Sequence, residues 1–82
     1  MTAKRGTPRG DADTGRRRVF GDRLRDLRHQ RGWTQERLAE ATGLDRSFLA
    51  DVERGARFPG LDTCWRIADG LGITLGELFD GL

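Results

Sequence analysis

The sequence predicts a small all-α domain: a bundle of five short helices behind a polar, disordered N-terminal arm. Three observations predict it. Phe20, Leu24 and Leu27 recur at i, i+4 and i+7, one face of a helix. Leu61, Cys64, Ile67, Ala68 and Leu71 form a second inward stripe. Between them Thr34, Gly43 and Asp45 read as a helix cap, a helix end and a second cap. Eighty-two residues allow one domain with a small core.

In chain order, residues 1–16 have no apolar period and are expected to be a disordered basic arm, with the domain over 17–82. Helix one is expected from about Arg17 to Gln30, ended by Gly32, with Trp33 packing under the turn. Thr34 caps helix two, from about Gln35 to Ala41, with Leu38 and Ala39 inward. Gly43 suits the left-handed helix end, and Leu44 plugs the corner. Asp45 caps helix three, which runs to about Arg54. Leu49 and Val52 face inward; Arg46, Ser47, Ala50 and Asp51 face outward. Thr42 is a polar residue just after helix two. Phe48 lies off the inward face, and the pattern leaves it between a core position and an outward apolar contact.

Gly55 and Pro59 shape the loop GARFPG. Helix four is expected over Leu61 to Leu71, with Cys64 as a small core hydrophobe and Trp65 beside the stripe. Helix five is expected from about Thr74 to Phe79, opened by a Thr74/Glu77 capping box. Helices two and three have the spacing of a helix-turn-helix, in which the second helix enters the DNA major groove.

Composition narrows the function classes. The chain has 15 basic and 13 acidic residues. Residues 1–18 hold six basic and two acidic, a net of +4; residues 19–82 hold nine arginines against eleven carboxylates, a net of −2. The arm carries the basic charge, so whole-chain charge is poor support for DNA binding and individual arginines must carry the argument. A single cysteine excludes an internal disulfide and a multi-cysteine zinc site. No stretch approaches a membrane span and the N-terminus lacks a secretory h-region, so a cytoplasmic protein is expected. His29 is the only histidine and lies on the polar side of helix one, and no glycine-rich phosphate loop is present. An enzyme, a metal site, a cofactor and a small-molecule ligand are therefore not expected.

The run Leu24 to Phe79 resembles the phage repressor (Cro/C1-type, or Xre-type) helix-turn-helix family. The matching pieces are LRDLRHQRGWTQERLAEATGL, then VERG, then LDTCWRIADGLGITLGELF. The resemblance implies a lambda-repressor-like fold. The segment LDRSFLADVERGARFPGL is also similar to the small controller proteins of restriction–modification systems.

What the resemblance implies for residues is specific. Arg28 and Glu53 match a pair that bridges helix one to helix three, with a phosphate contact as a secondary role for Arg28. Gln35 matches a glutamine that donates to a DNA phosphate at a helix N-terminus. Arg46, Ser47 and Asp51 occupy the positions that read base edges. There Arg46 can bond guanine O6/N7 bidentately, Asp51 can accept from cytosine N4, and Ser47 is permissive. Asp51 can equally pair with Arg46, Arg54 or Arg57, and Phe48 can reach a thymine methyl. Arg54 and Arg57 are the loop's phosphate candidates. Leu75, Leu78, Phe79 and Leu82 are more apolar residues than so short a segment easily buries; they either close this core or, the favoured reading, some of them supply a two-fold dimer interface with Trp65. The arm, with Arg16 to Arg18 at its base, is either a floppy leader or a strand along phosphates or in a minor groove.

The expected function is a sequence-specific regulator of transcription, a homodimer on palindromic double-stranded DNA with half-sites about 34 Å apart. The alternative is a protein-interaction module, such as an antitoxin or accessory subunit.

Overall fold

A computed structural model of the chain describes residues 9–82, with side chains from Thr14 onward. The described residues form five helices and no strand: α1 (Arg9–Gln30), α2 (Gln35–Thr42), α3 (Arg46–Glu53), α4 (Leu61–Leu71) and α5 (Leu75–Leu78). The all-α, five-helix expectation holds. α1 is longer than expected, starting eight residues before Arg17. Apolar periodicity detects a helix by what it buries, and the first two turns of α1 carry no apolar stripe. Residues 1–8 of the expected arm lie outside the described residues.

α3 packs on α1 and α2, and α4 on α2 and α5. Phe20, Leu24, Leu38, Leu49, Val52, Ile67 and Leu78 are fully buried between them. Cys64 is buried with them, and burial pushes its thiol above the ordinary range, so it behaves as a small apolar residue. Leu61, expected inward, is 57% exposed: it is the first residue of α4 and projects past the core.

Two crossings depend on missing side chains. A Cβ on Gly21 of α1 would lie 2.5 Å from the Val52 carbonyl oxygen and 2.6 Å from that of Glu53. A Cβ on Gly70 of α4 would lie 2.7 Å from the Ala41 carbonyl oxygen and from Thr42 Cγ2. Both contacts include backbone atoms that cannot swing aside, so α1 meets α3, and α4 meets α2, at glycine.

The helix ends are satisfied locally. Thr34 Oγ1 accepts from the Arg37 amide at 3.0 Å. At α5 the Thr74 amide donates to Glu77 Oε1 at 2.8 Å and the Glu77 amide donates to Thr74 Oγ1 at 3.0 Å, the expected capping box. Gly43 closes α2 at φ 73°. Asp45 stands at the N-cap position of α3, but its side chain makes no capping bond, contrary to expectation. Thr42 is buried with its hydroxyl satisfied: Oγ1 donates to the Leu38 carbonyl at 2.8 Å and accepts from the Leu44 amide at 3.3 Å, so the polar residue orders the turn.

Three arginines of α1 each reach the C-terminal end of a different helix. Arg25 donates to the Glu53 carbonyl of α3 at 2.7 Å. Arg31 donates to the Leu71 carbonyl of α4 at 2.9 Å. Arg23 donates to the Glu77 carbonyl of α5 at 2.6 Å and to that of Leu78 at 3.4 Å. The Glu53 and Leu71 carbonyls lie in the last turns of α3 and α4, where the negative helix end favours a cation, whereas the Glu77 carbonyl also accepts from the Asp80 amide at 3.2 Å.

Candidate nucleic-acid interface

The turn between α2 and α3 is held from beneath. Leu49 and Val52 are fully buried, so α3 cannot rotate about its axis without exposing them. Glu53 fixes its C-terminal end. Arg28 Nε donates to Glu53 Oε2 at 2.7 Å, and Arg28 Nη2 donates to Oε1 at 2.9 Å. The third arm of the guanidinium, Nη1, donates to the Trp33 carbonyl at 2.9 Å. The Glu53 side chain is 2% exposed and that of Arg28 12%, so this pair is buried. The hydrogen bond to Glu53 holds the Arg28 guanidinium above its ordinary pKa, against the opposing effect of burial.

This geometry bears on two expected phosphate contacts. Arg28 uses three of its five N–H donors inside the fold and its side chain is 12% exposed, so the bridge is the role that the geometry displays. Gln35 Nε2 donates to Glu53 Oε1 at 3.2 Å, so its amide faces the bridge.

The outward face of α3 starts with Arg46 and Ser47, both exposed. Among the described residues Arg46 makes no hydrogen bond or ion pair through its side chain. Asp51, 33% exposed, takes Arg54 Nη2 on Oδ1 and has Arg57 Nε 3.5 Å from Oδ2. The guanidinium of Arg57 lies 5.7 Å from the Phe48 ring centroid. Of the alternatives left open for Asp51, the structure places it on Arg54 and Arg57, away from Arg46. Phe48 is half-buried against the core, roofed by Arg57. An open groove along this face is lined by Leu44, Asp45, Ser47, Phe48, Asp51, Arg57 and Thr63, with Gly43 at its end.

The loop after α3 is pinned to α1. Gly55 has φ 79°, and a Cβ there would come within 3.1 Å of Arg18 Cα. Arg54 and Arg57 project from this loop, their side chains 65% and 61% exposed.

On the expected dimer surface, Leu78 is a correction. It is fully buried in the core of this chain and presents no side-chain surface to a second copy. Leu75 and Phe79 are partly buried against the core, while Trp65 and Leu82 are 51% and 54% exposed. Sequence reasoning missed Val19 and Phe58, each 48% exposed. With Phe79 and Leu82 they line an apolar groove, bordered by Gly15, Arg16 and Gly81. The Phe58 ring sits edge-on against Phe20 at 5.0 Å, so this groove overlies the core directly. Also missed were the three carbonyl-binding arginines and Gly21; their only signal was the spacing of arginines beside the α1 stripe.

Among the described residues no helix is long and apolar enough to cross a membrane. The helix-turn-helix domain family matches residues 19–80. The chain is 45% identical over 56 residues to the HTH-type transcriptional regulator SutR of Escherichia coli (strain K12), a match covering 68% of this chain and 32% of SutR. It thus spans about a third of that relative's length. It is 39% identical over 64 residues to the control protein C.MunI of Mycoplasma sp, covering 77% of this chain and 86% of that one. The crystal structure of the restriction–modification controller protein C.AhdI from Aeromonas hydrophila is similar with a TM-score of 0.76 and 45% identity, over 79% of this chain and 98% of C.AhdI.

Proposed function

The chain belongs to the helix-turn-helix domain family, whose named relatives are transcriptional regulators and control proteins, and from that premise we propose a sequence-specific DNA-binding regulator acting as a homodimer. In this reading α3 enters the major groove. The observation that carries it is the division of labour on α3: one side is locked by Leu49, Val52 and Glu53, and Arg46 stands exposed at its N-terminal end, without a side-chain partner among the described residues. An unpaired guanidinium on a fixed helix is preorganised for a bidentate bond to guanine. Ser47 beside it contacts a base or a phosphate. Arg54 and Arg57 meet the phosphates, and Gln35 joins them by turning its amide from Glu53 toward the backbone. The near full-length likeness to C.AhdI supports the control-protein variant, a regulator of its own operon.

The test is a footprint of the protein on DNA upstream of its own gene, against excess random competitor. A protected two-fold site of two half-sites about 34 Å apart is expected. Arg46→Ala should weaken that site by about 1–3 kcal/mol and relax preference at one base pair. Equal weakening on every sequence would remove Arg46 from base reading. If no site is protected, the exposed Leu61 and Trp65 favour the other reading, a module that binds a different protein.

The dimer is proposed to bury Trp65 and Leu82 with Phe79, Leu75 and the neighbouring Val19 and Phe58. Trp65→Glu with Leu82→Glu should shift sedimentation from dimer to monomer and leave the circular dichroism spectrum unchanged, since both side chains are half exposed in the single chain. A dimer that survives both changes would place the interface elsewhere.

A further inference from the structure

Asp51 sits oddly for a residue on a DNA-facing surface. A carboxylate there repels the phosphate backbone, and this one holds the two arginines best placed to attract it. Its two oxygens are divided between them: Arg54 on Oδ1 and Arg57, at 3.5 Å, on Oδ2. Arg57 is further steadied against the Phe48 ring. All three groups are exposed enough to exchange partners, with Asp51 33% and the arginines 65% and 61% exposed. We propose that Asp51 is a specificity-determining residue that keeps Arg54 and Arg57 off DNA phosphates until a base edge takes over its carboxylate. The proposal rests on the DNA-binding reading above.

The physical argument compares two complexes. On arbitrary sequence, swinging Arg54 and Arg57 to phosphates strips Asp51 of both cations and leaves it beside a polyanion. That costs the two ion pairs and adds a like-charge repulsion. On a site that presents an amino donor in the major groove, such as cytosine N4, the freed carboxylate gains a hydrogen bond as the arginines leave. The phosphate contacts then form at little net cost. Contacts that carry no sequence information by themselves become conditional on sequence. A plain base-reading role would instead leave arbitrary-sequence affinity untouched by the loss of the charge.

The experiment uses the full chain and two duplexes, one enriched from a random pool by the wild-type protein and one scrambled. Wild type, Asp51→Asn, Arg54→Ala/Arg57→Ala and the triple variant are titrated by fluorescence anisotropy at fixed salt. Asparagine keeps the shape of Asp51 at a partly exposed site, and thermal unfolding checks that each variant is folded. Asp51→Asn should tighten binding to the scrambled duplex about 10-fold, the scale of two surface ion pairs plus one like-charge repulsion. On the enriched duplex it should change affinity by less than about 3-fold, because lost base contact offsets released arginines. In the Arg54→Ala/Arg57→Ala background the gain on scrambled DNA should fall to about 2-fold, the like-charge repulsion alone. An equal gain on both duplexes would make Asp51 a general negative charge and overturn the proposal. So would a loss confined to the enriched duplex, or a gain that persists undiminished without the two arginines. Failure of the wild type to enrich any sequence would overturn the DNA-binding reading itself, and this inference with it.

Discussion

Gly21→Ala should lower the melting temperature by about 10 °C or more, although it places a better helix former inside a helix. Propensity alone favours alanine by about 1 kcal/mol. Packing opposes it. The new methyl would lie 2.5 and 2.6 Å from the carbonyl oxygens of Val52 and Glu53, both backbone atoms. α1 and α3 must separate to admit it, and overpacking of this kind costs about 1–3 kcal/mol, occasionally more. Separation also lengthens the bonds from Arg25 to the Glu53 carbonyl and from Arg28 to the Glu53 carboxylate, which cross the same seam. We expect a net loss of about 2 kcal/mol, and a domain of this size loses about 4–8 °C per kcal/mol. Gly15→Ala is the internal control. Gly15 lies in the same helix with nothing within 4 Å of its missing Cβ, so there the propensity term stands alone and the melting temperature should rise. Two glycine-to-alanine changes six residues apart should therefore shift thermal unfolding in opposite directions. If both raise it, α1 and α3 are not seated as closely as described.

Glu53→Ala should be worse still, by about 3–5 kcal/mol, the cost of stranding one half of a buried ion pair. The Arg28 guanidinium would keep only its bond to the Trp33 carbonyl, at a site where 12% of its side chain meets solvent. Gln35 would lose its partner as well. Urea denaturation should show the midpoint falling sharply, with much of the population unfolded near body temperature. Replacing both partners, Arg28→Met with Glu53→Leu, should recover a large part of the loss, because no charge is left buried. A small effect of Glu53→Ala would mean that water reaches Arg28.

The fold was legible because most of its rules are local. Thr34, Gly43, Thr74 and Glu77 act within a turn of their own positions, and the stripes Phe20/Leu24/Leu27 and Cys64/Ile67/Leu71 follow the helical period. The errors came where an answer depends on a neighbour distant in sequence. Leu78 belongs to an apolar cluster that looks too large for so short a segment, yet the core reaches it. Gly21 reads as an ordinary weak point in a helix until α3 is laid across it. Among the site residues, Arg28 and Glu53 were legible as a pair through the family resemblance. Gln35 was legible as a polar residue at a helix start, but its direction was not, since Glu53 arrives from eighteen residues away. Asp51 stayed ambiguous because three arginines lie within its reach in sequence, and only the path of the loop chooses between them.

The arginines of α1 bear on how much chain must be present before the domain can close. Their carbonyl partners follow them by 28, 40 and 54 positions, for Arg25, Arg31 and Arg23 in turn. During synthesis α1 leaves the ribosome first and has none of them. Each of these bonds needs the C-terminal end of its helix to be complete before it can form. The clamp on α5 cannot close until almost the whole described chain is out. α1 is thus tied to α3, α4 and α5 by contacts that each close over a long stretch of chain, and long-range closures of this kind slow folding relative to a bundle of neighbour-to-neighbour contacts. A nascent chain stopped before α5 would hold Arg23 without its partner carbonyls and Phe20 without the Phe79 ring. That species is the one a chaperone or protease would meet.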